Sequence, residues 1–309
     1  MNPLSGKVAV VAGATRGAGR GIACMLGEAG ATVYCTGRST REKRSSIGRP
    51  ETIEQTAQMV TEYGGLGLWA QVDHADPGQV NSLFERIRRE QHGRLDILVN
   101  DLSGDWNLDP DLIRGRKNNP KWQPFWAHAL DTGLRAQQDG VMAHLINAYH
   151  AAPLMIANRQ GLIVEVTDGN HLSYNDCGVF YSLTKTSAIV LAYLMSEELR
   201  EHNVAVVALT PGDMLSERRL ETETNPQSSW AEIRKTPGLA KAESCFYIGK
   251  AVVALATDPR VMLKSGRALS VGQLAQQYGF TDVDGTQPIW YRGEGTFTDN
   301  RDFQVRENI

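Results

Sequence analysis

Residues 7–26, Lys7-Val-Ala-Val-Val-Ala-Gly13-Ala-Thr-Arg-Gly17-Ala-Gly19-Arg-Gly-Ile-Ala-Cys-Met-Leu26, decide the fold. The run up to Ala12 is almost wholly apolar and lacks the polar alternation of a half-exposed strand. It predicts a strand covered on both faces, as at the centre of a parallel sheet. The second half has helical spacing. Between the two, Gly13, Gly17 and Gly19 form Gly-x-x-x-Gly-x-Gly. Such a turn lets backbone approach a pyrophosphate closely, while the helix that follows aims its first N–H groups at the charge. Strand, glycine turn and helix in this order predict a dinucleotide site, with Thr15 and Arg16 in the turn as further cofactor contacts.

Outward from this unit the same rhythm repeats. Short apolar runs at 32–36, 67–72, 95–100, 162–166, 205–209 and 268–271 read as strands. The segments 51–63, 77–92, 126–158, 182–202 and 245–256 read as helices, with a short one near Trp230. In 77–92, Val80, Leu83, Phe84 and Ile87 share one face and the arginines the other. Alternation of this kind implies an α/β fold, a single-domain Rossmann-type doubly wound parallel sheet of about seven strands. Its ligand crevice lies at the carboxyl ends of the strands. The expected boundaries are a nucleotide-binding domain over 1–279, carrying an inserted loop at 101–125 and a substrate loop at 211–243. An extension of little periodicity follows at 280–309, expected to run over the surface or a neighbouring subunit.

The 309 residues carry a formal net charge of −3, with 22% charged and 41% hydrophobic residues. This is ordinary globular composition, and it points away from a nucleic-acid partner. No membrane span is expected, because no run approaches about 18 continuous apolar residues. Four scattered cysteines without ligand spacing fit a reducing cytoplasm, and no metal site is expected.

The second strand ends in Thr36-Gly-Arg38-Ser39-Thr-Arg41, with no acid before Glu42. An acid there would hold the ribose diol of NAD. Arg38, Arg41 and Arg16 instead offer guanidinium forks for a 2′-phosphate, so NADP(H) is the expected cofactor. Further on, Tyr181 and Lys185 stand four apart at the start of a helix, and so on one face. A phenol beside an ammonium suits proton transfer.

With these motifs in order, the chain resembles the short-chain dehydrogenase/reductase family over roughly residues 5–272. The resemblance implies further roles. Asp73 would touch the adenine and Asn100 would end the fourth strand beside the cofactor. Pro211, Gly212, Met214 and Ser216 would meet the nicotinamide end, and Lys185 its ribose. The insert and the ending Tyr278-Gly-Phe-Thr-Asp-Val-Asp-Gly are similar to a divergent branch, the dehydrogenase/reductase member 1-like proteins. The helices 126–158 and 182–202 are where the family forms dimers and tetramers, so a homodimer or homotetramer is expected.

Two departures stand out. The family's catalytic Ser lies 13 residues before Tyr181, and here that position is Asp168, with Thr167 facing the other way if the strand continues. The family's Asn on the central helix falls on Gly133 or Gly140, seven residues apart, which suggests a two-turn insertion. Asp168 leaves three readings open. It acts protonated, as Ser would, in reduction of a ketone. It stays ionised and pairs with a cationic C=N substrate. Or it marks a slow enzyme, a non-redox catalyst or a nucleotide-binding scaffold. The substrate is in any case a small molecule. His171 is a candidate relay, and Trp106, Trp122, Tyr174 and Trp230 are candidate pocket aromatics.

Overall fold

A computed structural model describes residues 2–103, 123–169, 178–225 and 227–289. The chain opens with β1 (Val8–Ala12), α1 (Gly17–Glu28) and β2 (Thr32–Gly37). It continues through α2 (Ile53–Glu62), β3 (Leu66–Gln71), α3 (Pro77–Glu90) and β4 (Ile97–Asn100). Then come α4 (Leu130–Gln137), a π-turn over Gln138–Met142, α5 (Ala143–Asn158) and β5 (Gly161–Val166). After α6 (Val179–Leu199) and β6 (Val204–Thr210), a short strand β7 (Met214–Leu215) leads into α7 (Glu217–Glu223) and α8 (Trp230–Ile233). The last elements are β8 (Glu243–Ser244), α9 (Cys245–Thr257), β9 (Ala268–Ser270) and α10 (Val271–Tyr278).

Seven strands form one parallel sheet in the order β3-β2-β1-β4-β5-β6-β9, and β7 pairs with β8 apart from it. Strand order reverses between β1 and β4, so their carboxyl ends open the crevice. Side chains alternate between two cores. Ala9, Val11, Val33 and Val164 face α1 and α9, whereas Val10, Leu98, Ile163 and Val206 face α3, α5 and α6. Burial on both faces explains the unbroken apolar runs, each Val, Leu or Ile contributing about 1.5–3 kcal/mol.

Local signals set the helix ends. Asp76 caps α3 through the N–H groups of Gly78 and Gln79, with Pro77 in the first turn. Ser270 caps α10, which stops at Gly279 with φ +79°.

The central helix differs from the expected 126–158. Phe125–Ala127 is a separate 3₁₀ turn, and the helix starts at Leu130 and carries the π-turn in its middle. Both glycines of the expected insertion face α6. A Cβ at Gly133 would come within 2.4 Å of the Phe180 ring, and one at Gly140 within 2.5 Å of Thr184 Cγ2. A side chain at either position would therefore require Phe180 or Thr184 of α6, the helix that carries Tyr181 and Lys185, to shift. α7 and α10 were not apparent in the hydrophobic pattern. Residues 280–289 pack on the same chain: Asp282 is buried and accepts from Ser244 N at 2.8 Å, and Pro288 O lies 3.4 Å from Tyr247 Oη.

One helical run, Val179–His202, is long and apolar enough to cross a membrane by composition. It instead carries Tyr181 and Lys185 and packs along β5 and β6.

Candidate active site

A cavity of about 950 Å³ opens at the carboxyl ends of β1, β4 and β5. Among the described residues, the site residues expected from the sequence line it, except Gly19, Arg41, Asn100 and Trp230.

At one end, Gly17 sits at φ +59° with open space where its Cβ would be, which leaves room for a ligand against the turn. The N-terminus of α1 already binds carboxylates. Gly17 N donates to Glu217 Oε2 at 2.8 Å, and Gly19 N donates to Asp101 Oδ2 at 2.6 Å. Glu217 is the first residue of α7, and its other oxygen lies 3.7 Å from Arg20. One turn later Glu221 holds Arg49 at 2.6 Å. A carboxylate on Gly17 N stands in for an anion, which is what this turn suits. The residues fit a pyrophosphate.

Basic groups collect beside it. Arg16, Arg38, Lys43 and Arg44 line the cavity, whereas Arg41 is exposed and contributes only its backbone N–H to Glu54. Carboxylates orient two of the guanidiniums: Glu51 lies 3.4 Å from Arg16, and Asp139 of the π-turn lies 3.3 Å from Arg38. Burial pushes the Glu51 carboxyl up, but its bonds to Arg49 outweigh that and hold it below the usual range. Asp73, after β3, accepts from Ala75 N at 3.1 Å.

At the other end, Tyr181 Oη donates to Asp168 Oδ2 at 2.6 Å. The Lys185 ammonium lies 6.0 Å from the Tyr181 ring centre. Thr167, next to Asp168, is buried and turned away, its hydroxyl donating to Lys185 O at 2.6 Å. At the end of β5 the group that meets Tyr181 is thus the Asp168 carboxyl rather than the Thr167 hydroxyl. The turn after β6 brings Pro211, Gly212, Met214 and Ser216 to the same wall.

Asn100 faces away from the cavity into a buried polar chain. Its Nδ2 donates to Glu165 Oε1 at 2.9 Å, and its Oδ1 accepts from Asn147 Nδ2 at 3.0 Å. Asn147 Oδ1 meets His74 Nδ1 at 2.8 Å, and His74 Nε2 meets Thr36 Oγ1 at 2.9 Å. Burial lowers the His74 pKa to about 4, so its ring is neutral near pH 7. Asn147 uses its oxygen here, so His74 carries its hydrogen on Nδ1 and Nε2 accepts from Thr36. Each group then donates to the next, ending at Glu165. The other Glu165 oxygen meets His144 Nδ1, and His144 Nε2 donates to Leu102 O at 2.7 Å.

Asp101 also escaped the sequence reading as a site residue. Burial raises its carboxyl pKa, opposed by the Lys185 ammonium and the Gly19 N–H. The visible signal for this polar layer was Glu165, a lone charge in the run Leu162-Ile-Val-Glu-Val166. Trp230 lies under the Arg234 guanidinium, 5.6 Å from its ring centre. His171, Tyr174, Trp106 and Trp122 lie outside the described residues.

Residues 7–227 match the short chain dehydrogenase family model, and the chain belongs to the short-chain dehydrogenase/reductase family. Within it, the chain is 36% identical over 290 residues to "Dehydrogenase/reductase SDR family member 1" of Homo sapiens and of Mus musculus, covering 92% of this chain and 85% of theirs. It is 26% identical over 226 residues to 7alpha-hydroxysteroid dehydrogenase of Clostridium sardiniense, covering 73% of this chain and 77% of that one. Among solved structures, hydroxysteroid dehydrogenase from Escherichia coli matches with TM-score 0.66 at 22% identity, over 86% of this chain and 95% of that one. YwfH, an NADPH dependent reductase involved in bacilysin biosynthesis, matches with TM-score 0.65 at 19% identity, over 85% and 96%. The last two likenesses bear on the fold.

Proposed function

We propose that this protein is an NADPH-dependent reductase of a C=O or C=N bond in a small organic substrate, with Tyr181 as proton donor. The observation that carries this reading is the 2.6 Å contact of Tyr181 with Asp168, in the wall of the cavity that also holds the glycine turn. The four basic side chains at the far end, with no acid closing β2, support NADP over NAD.

A bound nicotinamide nucleotide supplies the hydride. The chain's own residues do the rest. The α1 N-terminus binds the pyrophosphate, and Arg16 and Arg38 take the 2′-phosphate. Lys185 holds the ribose and favours the phenolate that proton release leaves behind. Asp168 sets the substrate class. As a carboxylate accepting the Tyr181 hydrogen, it repels a developing alkoxide and attracts a cationic C=N carbon. The proton that Tyr181 donates to the imine nitrogen makes that cation, hydride addition to its carbon then removes the charge, and no oxyanion stabiliser is needed. Asp168→Ser is therefore expected to shift preference from imines toward ketones by about 10²-fold in kcat/KM, the range of one hydrogen-bonding or acid–base group. Asp168→Asn is expected to lose imine turnover without gaining ketones. Panels of both substrates across pH read the outcome, and equal rates in all three proteins would remove any catalytic part for Asp168.

Glu217→Gln is expected to tighten NADPH binding by up to about tenfold, because the nucleotide then no longer competes with a charged oxygen for Gly17 N–H. Fluorescence titration of the nucleotide measures it, and an unchanged or weaker Kd counts against the competition.

We also infer a homodimer or homotetramer working in the cytoplasm. Leu145 and Tyr149 of α5, with Leu183 and Leu194 of α6, are exposed large apolar side chains on the two helices that the family uses for assembly.

A further inference from the structure

Behind the turn that ends β6, a carboxyl group is sealed in without a full set of partners. Glu243 is 1% exposed. It grips the turn through both backbone and side chain. Its backbone N donates to Asp213 O at 2.8 Å, its Oε2 accepts from Gly212 N at 2.8 Å, and its strand pairs with Met214. Its other oxygen, Oε1, is buried with no hydrogen-bond partner among the described residues. Gly212, Asp213 and Met214 line the cavity from the opposite side, whereas Glu243 does not reach it.

We propose that Glu243 is a positioning residue that clamps the 211–214 turn against the cofactor cavity, and that it holds this turn as a neutral acid.

The surroundings favour the neutral form. An ionised carboxylate here would leave a charged oxygen unbonded in a dry site, where a neutral acid costs far less. The nearby charges do not compensate. Asp213, on the turn itself, is held by Arg219 of α7 at 2.6 Å. Asp282, from the C-terminal segment, accepts from Ser244. Among the described residues Arg234, after α8, is the one cation facing the group; its charge opposes the rise, and its Nη2 has no hydrogen-bond partner there. It is engaged by Asp284 and by the carbonyl oxygens of Ala240 and Ala242, with Asp282 at 3.9 Å. From α9, the buried Tyr247 phenol adds no positive charge. Burial raises the Glu243 pKa to about 8, against the Gly212 N–H, and Asp282 and Asp213 push it the same way.

The proposal rests on the dinucleotide reading, because the turn matters as the nicotinamide-side edge of that cavity. A carboxyl with a raised folded-state pKa keeps its proton when the unfolded chain has lost it. Its contribution to stability is therefore full below the ordinary pKa of 4.5, falls as pH rises toward about 8, and is then level. Glu243→Gln keeps an acceptor for Gly212 and cannot ionise.

The test follows NADPH affinity by fluorescence titration and thermal unfolding, from pH 5 to 9.5, in wild type and Glu243→Gln. The ratio of wild-type Kd to variant Kd is expected to rise by roughly tenfold between pH 7 and 9.5. The Tm of the variant minus that of wild type is expected to grow from pH 5 to about 8 and then level off. Superimposable pH profiles would overturn the proposal. So would a Glu243→Gln protein as weak in cofactor binding at pH 7 as Glu243→Ala, since that shows a need for the carboxylate itself. The Tm comparison needs no cofactor. If wild type binds neither NADPH nor NADH at pH 7, the dinucleotide reading fails and the positioning role goes with it, while the Tm difference still reports whether Glu243 is neutral.

Discussion

Tyr181→Phe is expected to lower kcat by about 10³-fold, close to 4 kcal/mol of transition-state stabilisation, while NADPH still binds. The structure places the phenol oxygen at the wall shared with the glycine turn, 2.6 Å from Asp168 Oδ2. Phenylalanine keeps the ring beside Lys185 and removes only the hydroxyl. The loss should fall on kcat at saturating nucleotide, with KM for the cofactor little changed, because a group used only during proton transfer does not contribute to ground-state binding. Single-turnover measurement with a turned-over substrate gives the value. Residual turnover within tenfold of wild type would mean that another group donates the proton.

Glu165→Leu is expected to cost about 3–5 kcal/mol of unfolding free energy, because it leaves one half of a buried charged or proton-sharing pair behind. Glu165 and His144 are both almost wholly inaccessible, and Asn100 and Leu102 O complete the set. The double variant His144→Leu/Glu165→Leu should cost less than the two single changes added together, since removing both partners leaves no orphaned group. Urea unfolding of the four proteins measures the coupling. Simple additivity, or a single-variant loss below about 1 kcal/mol, would show that the pair contributes nothing specific.

Features encoded within a few residues could be read from the chain. The strand–turn–helix at 7–26 declares itself by local composition, and the 13-residue count from Asp168 to Tyr181 places two groups that do meet in space. The polar chain is another matter. His74 meets Asn147 across 73 residues, Asn147 meets Asn100 across 47, and Asn100 meets Glu165 across 65. Asn147 and Glu165, taken alone, read as interruptions in apolar runs, His74 stands in a polar loop, and Asn100 reads as a cofactor-side residue. α7 escaped for a different reason: Glu-Arg-Arg-Leu-Glu-Thr-Glu has no apolar period. It is held by ion pairs to Arg20, Arg49 and Asp213, none of which its own sequence reveals. The pair β7–β8, two residues each, is too short for any pattern.

The two glycines of the central helix carry a consequence for descent and for engineering. Members of this family place an asparagine where this chain has Gly133 or Gly140. Here the return meets an obstacle at the first carbon, because a Cβ at either site would overlap the Phe180 or Thr184 side chain on the helix that bears Tyr181 unless that side chain shifts. A one-step reversion to the family's usual set of four groups would break the packing that supports two of them. Restoring it would require α6 to move away or Phe180 and Thr184 to shrink at the same time. Any variant library for this enzyme that seeks the common arrangement should therefore change positions 133 and 180, or 140 and 184, together.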